Sequence, residues 1–195
     1  MYNETLFALD IYNMEEKLSA CFPSASKEWT TNQLWISTSN LDNIYETSTV
    51  GINDIRGKQD NGFAFGDDKR LSRKYMPSAE NIYSNHMPLI RLSEMYYIMA
   101  EAVGLKKSAA YINAVRNARG IGMVYNVDSE SLTEEGRVEE LRKEYEKDFF
   151  GEGQYFYFLK RHNLKTFPRS VVAEMYNYYV FPLPDAEIEN GLTTE

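Results

Sequence analysis

The hydrophobic and polar positions of this chain follow two different rhythms, and the change falls near residue 88. Before it, no helical period persists. "ETLFALDIY" alternates and carries Phe and Ile, which predicts a short strand. Residues 13–40 are polar, with Pro, Ser, Thr and Asn, and read as loop with at most a helical turn. "NLDNIYET" predicts a short helix, and "GFAF" and "LSRKYM" predict short strands among scattered Gly, Asn and Asp.

From Pro88 the period becomes helical. Pro88 suits a first helical turn, and Leu92, Met95, Tyr96, Met99 and Val103 form a stripe that ends at Gly104. Ser108 can cap a second helix, with Tyr111, Ile112, Val115 and Ala118 on one face and "RGIG" at its end. The short "GLKK" link makes the pair an antiparallel hairpin. A third helix is predicted from Ser131, with Glu134 completing a capping box and Val138, Leu141, Tyr145 and Phe149 as its stripe, up to "GEG". "QYFYFLKRHN" reads as a buried helical turn or two, and "YYVFPLPDAEIENG" as an extended segment followed by a short acidic turn. The expected fold is mainly α with minor β. Residues 1–195 form a single domain: 1–87 loop-rich, 88–195 helical.

Composition narrows the functions. The net charge is -8 without a basic block, which argues against nucleic acid and anionic lipid. No apolar run approaches the roughly 20 residues that cross a bilayer. Cys21 is the one cysteine, so no internal disulfide forms. Its "LSAC" context resembles a lipoprotein cleavage box, but Glu15, Glu16 and Lys17 stand where a signal peptide is apolar, so Cys21 reads as a loop or core thiol. Met1 runs straight into "YNETLFALDIY", which looks like the interior of a longer protein.

His86 and His162 have no metal-ligand spacing, so no metal is expected. There is no G-x-S-x-G, no Gly-rich phosphate loop, no cofactor motif and no Cys–His pair. No motif singles out a glycosidase pair among the 29 acids, and "EKDFFGEG" reads as a solvated helix face. The 15 tyrosines, 10 phenylalanines and 2 tryptophans fit an aromatic core, or a surface for flat hydroxylated ligands such as sugar rings.

Four segments occur in a telling order: "IRLSEMYYIMAEA", "AYINAVRNARG", "EYEKDFFGEGQYFYFLKR" and "YVFPLPDAEI". They resemble the C-terminal part of the SusD/RagB family of outer-membrane glycan-binding lipoproteins. Arg91, Glu94 and Ala100–Ala102 match its Arg-x-x-Glu helix, and Asn113, Arg116, Arg119 and Gly120 its Asn-x-x-Arg and Arg-Gly. Glu152, Gly153, Leu159 and Arg161 match Glu-Gly and Leu-x-Arg, and Pro182, Pro184, Glu187 and Ile188 the closing Pro-x-Pro and Glu-Ile. Asp54, Arg56 and "RKY" at 73–75 keep the order upstream. Where the family often has Glu-Arg-Arg this chain has Glu144, Tyr145 and Glu146, and where it often has Arg and Asp this chain has Tyr155 and Phe158, as if an ion pair were exchanged for aromatic packing.

The resemblance implies one tetratricopeptide-like hairpin plus a third helix and irregular segments, with the family's N-terminal half absent. It implies a non-enzymatic protein at the surface of the outer membrane. Such a protein passes oligosaccharides to a SusC-like TonB-dependent transporter, and touches the membrane only through a lipid anchor that this chain lacks. A helical protein-interaction scaffold without a glycan site is the alternative. Arg91, Glu94, Glu101, Arg116, Arg119 and Arg161 are expected to form an internal ion-pair network, because half-buried charges persist when paired. Family glycan contacts come from loops, which points to Trp29, Trp35 and Tyr45 as the ligand surface.

Overall fold

The structure, a computed structural model, describes residues 2–22, 33–59, 61–66, 68–75, 85–189 and 191. Trp29 lies outside them. The fold is mainly helical. In chain order come β1 (Thr5–Asp10), α1 (Met14–Leu18), β2 (Trp35–Ser37), α2 (Thr38–Tyr45), β3 (Phe63–Gly66), β4 (Lys69–Ser72) and β5 (His86–Arg91). Then follow α3 (Leu92–Ala102), α4 (Leu105–Ala118), α5 (Glu134–Asp148), α6 (Gln154–Arg161) and α7 (Asp185–Glu189). None of the described helices is long and apolar enough to cross a membrane.

The strands make two small antiparallel sheets: a ribbon of β1 and β5, and a sheet of order β2-β4-β3. Pro88 does not start a helix; it lies in β5, opposite Ala8. A two-stranded ribbon leaves one edge of each strand without a ladder, so a residue lacking an N–H is tolerated there. Arg91 is still extended (φ -120°), and α3 begins only at Leu92. This late start turns the helix by about one position from the expected stripe. Ser93, Tyr97 and Ala100 are buried, whereas Leu92 and Met99 are each 42% exposed.

The link to α4 is Val103 and Gly104 alone, with Gly104 (φ -62°) at the N-cap. Ser108 is therefore not a cap but a buried residue inside α4, its hydroxyl without a partner among the described residues. At the far end Gly120 adopts φ +92°, a left-handed conformation that favours glycine, and an added Cβ would stand 2.4 Å from the Asn53 carbonyl. Helix α5 is capped by Thr133 rather than Ser131: its side chain accepts a hydrogen bond from the Gly136 N–H at 3.0 Å, while Ser131 donates to Asp128.

The main core joins four helices: Tyr97 and Ala100, Ile112 and Val115, Leu141, Tyr145 and Phe149, Phe158 and Leu159, closed by Met175 and Tyr179. Tyr145 stacks on Phe158 at 4.6 Å between ring centroids. Of the two positions where the sequence suggested a lost ion pair, Tyr155 and Phe158, Phe158 thus lies in an aromatic stack, while Tyr155 packs edge-on against Phe167 and accepts a hydrogen bond from Arg142 at 2.9 Å. A second core joins β2, α2 and β3 through Ile36, Leu41, Ile44, Tyr45 and Phe63.

Candidate functional site

The C-terminal end of α5 builds a buried charge cluster. Leu141 and Tyr145 mark the inward face of this helix, and Glu144 and Asp148 extend it at i+3 and i+4 spacing. Glu144 is 0% exposed, Lys147 1%, Asp148 4% and Phe149 1%, so the first part of the segment "EKDFFGEG" is internal and not a solvated face. The backbone turn at 54–56 supplies their partners. Arg56 grips Asp54 with two nitrogens, Nε to Oδ1 at 3.0 Å and Nη2 to Oδ2 at 2.7 Å. Its Nη1 reaches Glu144 at 2.9 Å and Asp148 at 3.6 Å. Lys147 meets Glu46 at 2.6 Å.

On the other side, Lys74 and Arg91 converge on Glu152, Arg91 at 3.0 Å. Arg91 also donates to the Asp148 carbonyl at 3.1 Å and lies over the Phe149 ring. Arg119 reaches Asp148 at 3.3 Å and makes a two-nitrogen pair with Glu4.

Burial alone would raise the Asp148 carboxyl, but Arg56, Arg119 and Arg91 overcome it and hold the group well below the usual carboxylate range. Glu144 is held down in the same way, chiefly by Arg56 and Lys147. Lys74 goes the other way: burial pushes its ammonium down to about 8, and Glu152 restores only part of the loss. Together these elements enclose a half-open cavity of about 280 Å³, lined on its polar side by Arg56, Lys74, Arg91, Arg119, Lys147 and Asp148. Among the described residues no group of His, Cys, Asp and Glu is arranged to hold a metal ion.

The six charges expected to form one network separate. Arg91 and Arg119 join the cluster at Asp148. Arg116 pairs with Glu140 and donates to the Tyr125 carbonyl at 2.9 Å. Arg161 pairs with Glu101 at 2.6 Å near the surface. Glu94 stands outside: it makes no ion pair among the described residues, and burial raises its carboxyl. The reason is the late start of α3, which leaves Arg91 on the strand side and takes it to Glu152 instead. Glu144, Lys147, Asp148 and Glu152 were missed as site residues, although Asp54, Arg56 and Lys74 were already conspicuous upstream.

Of the aromatic candidates, Trp29 lies outside the described residues, and Trp35 and Tyr45 do not share a surface. Trp35 is 47% exposed on edge strand β2, with the Lys69 ammonium 5.0 Å from its ring centroid. Tyr45 is not a surface group. It is 1% exposed, packs edge-on against Phe63, and its hydroxyl donates to the Lys147 carbonyl at 2.9 Å. Tyr12 is open to solvent at 80% exposure. Cys21 is exposed.

Comparison with known proteins bears on the whole arrangement. No curated protein matches the sequence. A solved SusD superfamily protein from Bacteroides thetaiotaomicron VPI-5482 shares the fold, with a TM-score of 0.55 at 23% identity. The similarity covers 82% of this chain but 38% of that one. The SusD family profile matches residues 5–179, nearly the full length and including every member of the charge cluster but Glu4. The chain belongs to the SusD family.

Proposed function

We propose that this chain is a non-enzymatic, glycan-binding component of a polysaccharide-uptake system. It acts at the surface of the outer membrane and presents oligosaccharides to a SusC-like TonB-dependent transporter. The observation that carries this reading is the family match over residues 5–179. Half-exposed Trp35 supports it, because an aromatic face packs well against the C–H face of a pyranose ring. Trp35 and Trp29 are the proposed stacking residues; Tyr45, being core, is withdrawn from that role. Lys69 over the indole adds a hydrogen-bond donor for sugar hydroxyls beside the ring.

The test is a panel of dietary and host-derived oligosaccharides titrated into the chain while Trp fluorescence is read. Binding that weakens in Trp35→Ala or Trp29→Ala, with an unchanged melting temperature, is the expected result. Affinity that both variants retain places the site elsewhere.

The scaffold reading has one observation in its favour. The β1–β5 ribbon exposes Leu6, Phe7, Leu9, Leu89 and Ile90, each between 39% and 59%. Capture of a protein partner that is lost in Phe7→Glu, without any glycan binding, would favour it.

A further inference from the structure

We propose that the cavity at the end of α5 is a binding site for a carboxylate-bearing sugar, a single uronic-acid ring. This deepens the glycan reading and rests on it. Six cationic residues line the cavity, Arg56, Arg73, Lys74, Arg91, Arg119 and Lys147, against one described lining carboxylate, Asp148. The carboxylates that balance them, Glu4, Glu46, Asp54, Glu144 and Glu152, are paired with these cations but do not line the space. The cluster is close to neutral in sum, yet it is ordered as a shell, cations inside and anions behind. Such a shell gives the cavity a positive inner wall in a protein whose net charge is -8.

Donor capacity remains in that wall. The Arg119 Nε is buried and has no hydrogen-bond partner, and the Arg119 side chain is 10% exposed. A donor left in this state is costly; it is covered as the side chain stands, so an entering carboxylate reaches it once the guanidinium turns toward the cavity. Lys74 gives a second, separate sign. Its ammonium is pushed down to about 8 by burial, so it is short of countercharge despite Glu152.

The rest of the lining combines an apolar side, Ile55, Phe63 and the Tyr45 ring, with the polar Asn61 and Ser72. A uronic acid offers both halves of this pattern, C–H faces for the apolar side and a carboxylate for the guanidinium groups. The volume, about 280 Å³, sits at the low end of small-molecule sites, which suits one ring and not a chain.

The experiment is calorimetric titration of the full chain with a galacturonate disaccharide, the galactose disaccharide of the same linkage, sodium acetate and sodium sulfate. The galacturonate disaccharide should bind on the order of tenfold more tightly than the neutral one, and the difference should shrink in high salt. Ile55 is 44% exposed at the rim. Ile55→Glu places a negative charge there without touching an ion pair, and should abolish the preference while keeping the wild-type melting temperature. In parallel, NMR titration should show the Lys74 ammonium moving up from about 8 when the uronate binds. Equal affinity for the two disaccharides overturns this inference and leaves the glycan reading standing. Acetate or sulfate binding as tightly as the uronate overturns the assignment to a sugar. Uronate binding that leaves Lys74 unmoved places that sugar outside the cavity. No binding of either disaccharide, nor of any glycan in the fluorescence panel, overturns both.

Discussion

At the scale of single residues, the penalty for a broken pair depends on how deeply its partners are buried. Asp148 is 4% exposed and faces Arg56, Arg91 and Arg119. Asp148→Asn leaves those cations undercompensated and should destabilise by about 3–5 kcal/mol in urea unfolding. Glu94→Gln removes an unpaired carboxyl and should shift stability by less than about 0.5 kcal/mol. Acid gives the same answer by another route. The folded-state pKa values of Asp148 and Glu144 lie below their unfolded values. Their stabilisation is therefore present above about pH 4 and is lost as pH falls through the folded values. Lys74 has the opposite consequence. Its folded pKa of about 8 lies below the unfolded 10.5, so the unfolded chain binds more protons between these values. Its contribution to stability rises with pH across that window, and Lys74→Met should remove this rise from a series of thermal melts.

At the scale of elements, β1, β3 and the α5 stripe were legible, and β2, β5, the α3 stripe and the caps were not. β1 and β3 lie where alternation and aromatic content placed them, β4 overlaps its expected segment "LSRKYM" only at Leu71 and Ser72, and Leu141, Tyr145 and Phe149 face inward on α5 as their spacing requires. Pro88, Ser108 and Ser131 misled because each has the right residue type for a helix start, while tertiary context decided otherwise. Pro88 was taken into a ribbon by β1, and Thr133, two residues past Ser131, makes the hydrogen bond that a cap requires. The charge cluster was illegible for a different reason. A charged helix face looks the same in sequence whether water or a set of distant arginines lies against it. Thr133→Ala should cost about 1 kcal/mol in the same unfolding assay. Gly120→Ala should cost more, about 2 kcal/mol or above, since it meets both the left-handed φ and the Asn53 carbonyl.

At the scale of the whole molecule, the helical core holds α3 to α6 and the charge cluster fastens the earlier chain onto it. Far-UV circular dichroism should be dominated by helix, and a strand-type spectrum would contradict the fold. Long incubation with the oligosaccharides that bind should leave them intact by chromatography; product that scales with protein and vanishes on mutation of one carboxylate would refute the non-enzymatic reading.

The two-residue link at Val103 and Gly104 has a consequence in time as well as in space. Contacts between α3 and α4 close a very short loop, whereas Asp148 meets Arg56, Arg91 and Arg119 across long stretches of chain. Local contacts are cheap to form early, and distant ones wait on chain closure. The hairpin should then be formed in the folding transition state and the charge cluster not. Stopped-flow measurements on Ile112→Val should show slower folding, and those on Asp148→Asn faster unfolding with the folding rate nearly unchanged. The cluster would then set how long the native protein lasts, and the hairpin how quickly it is reached.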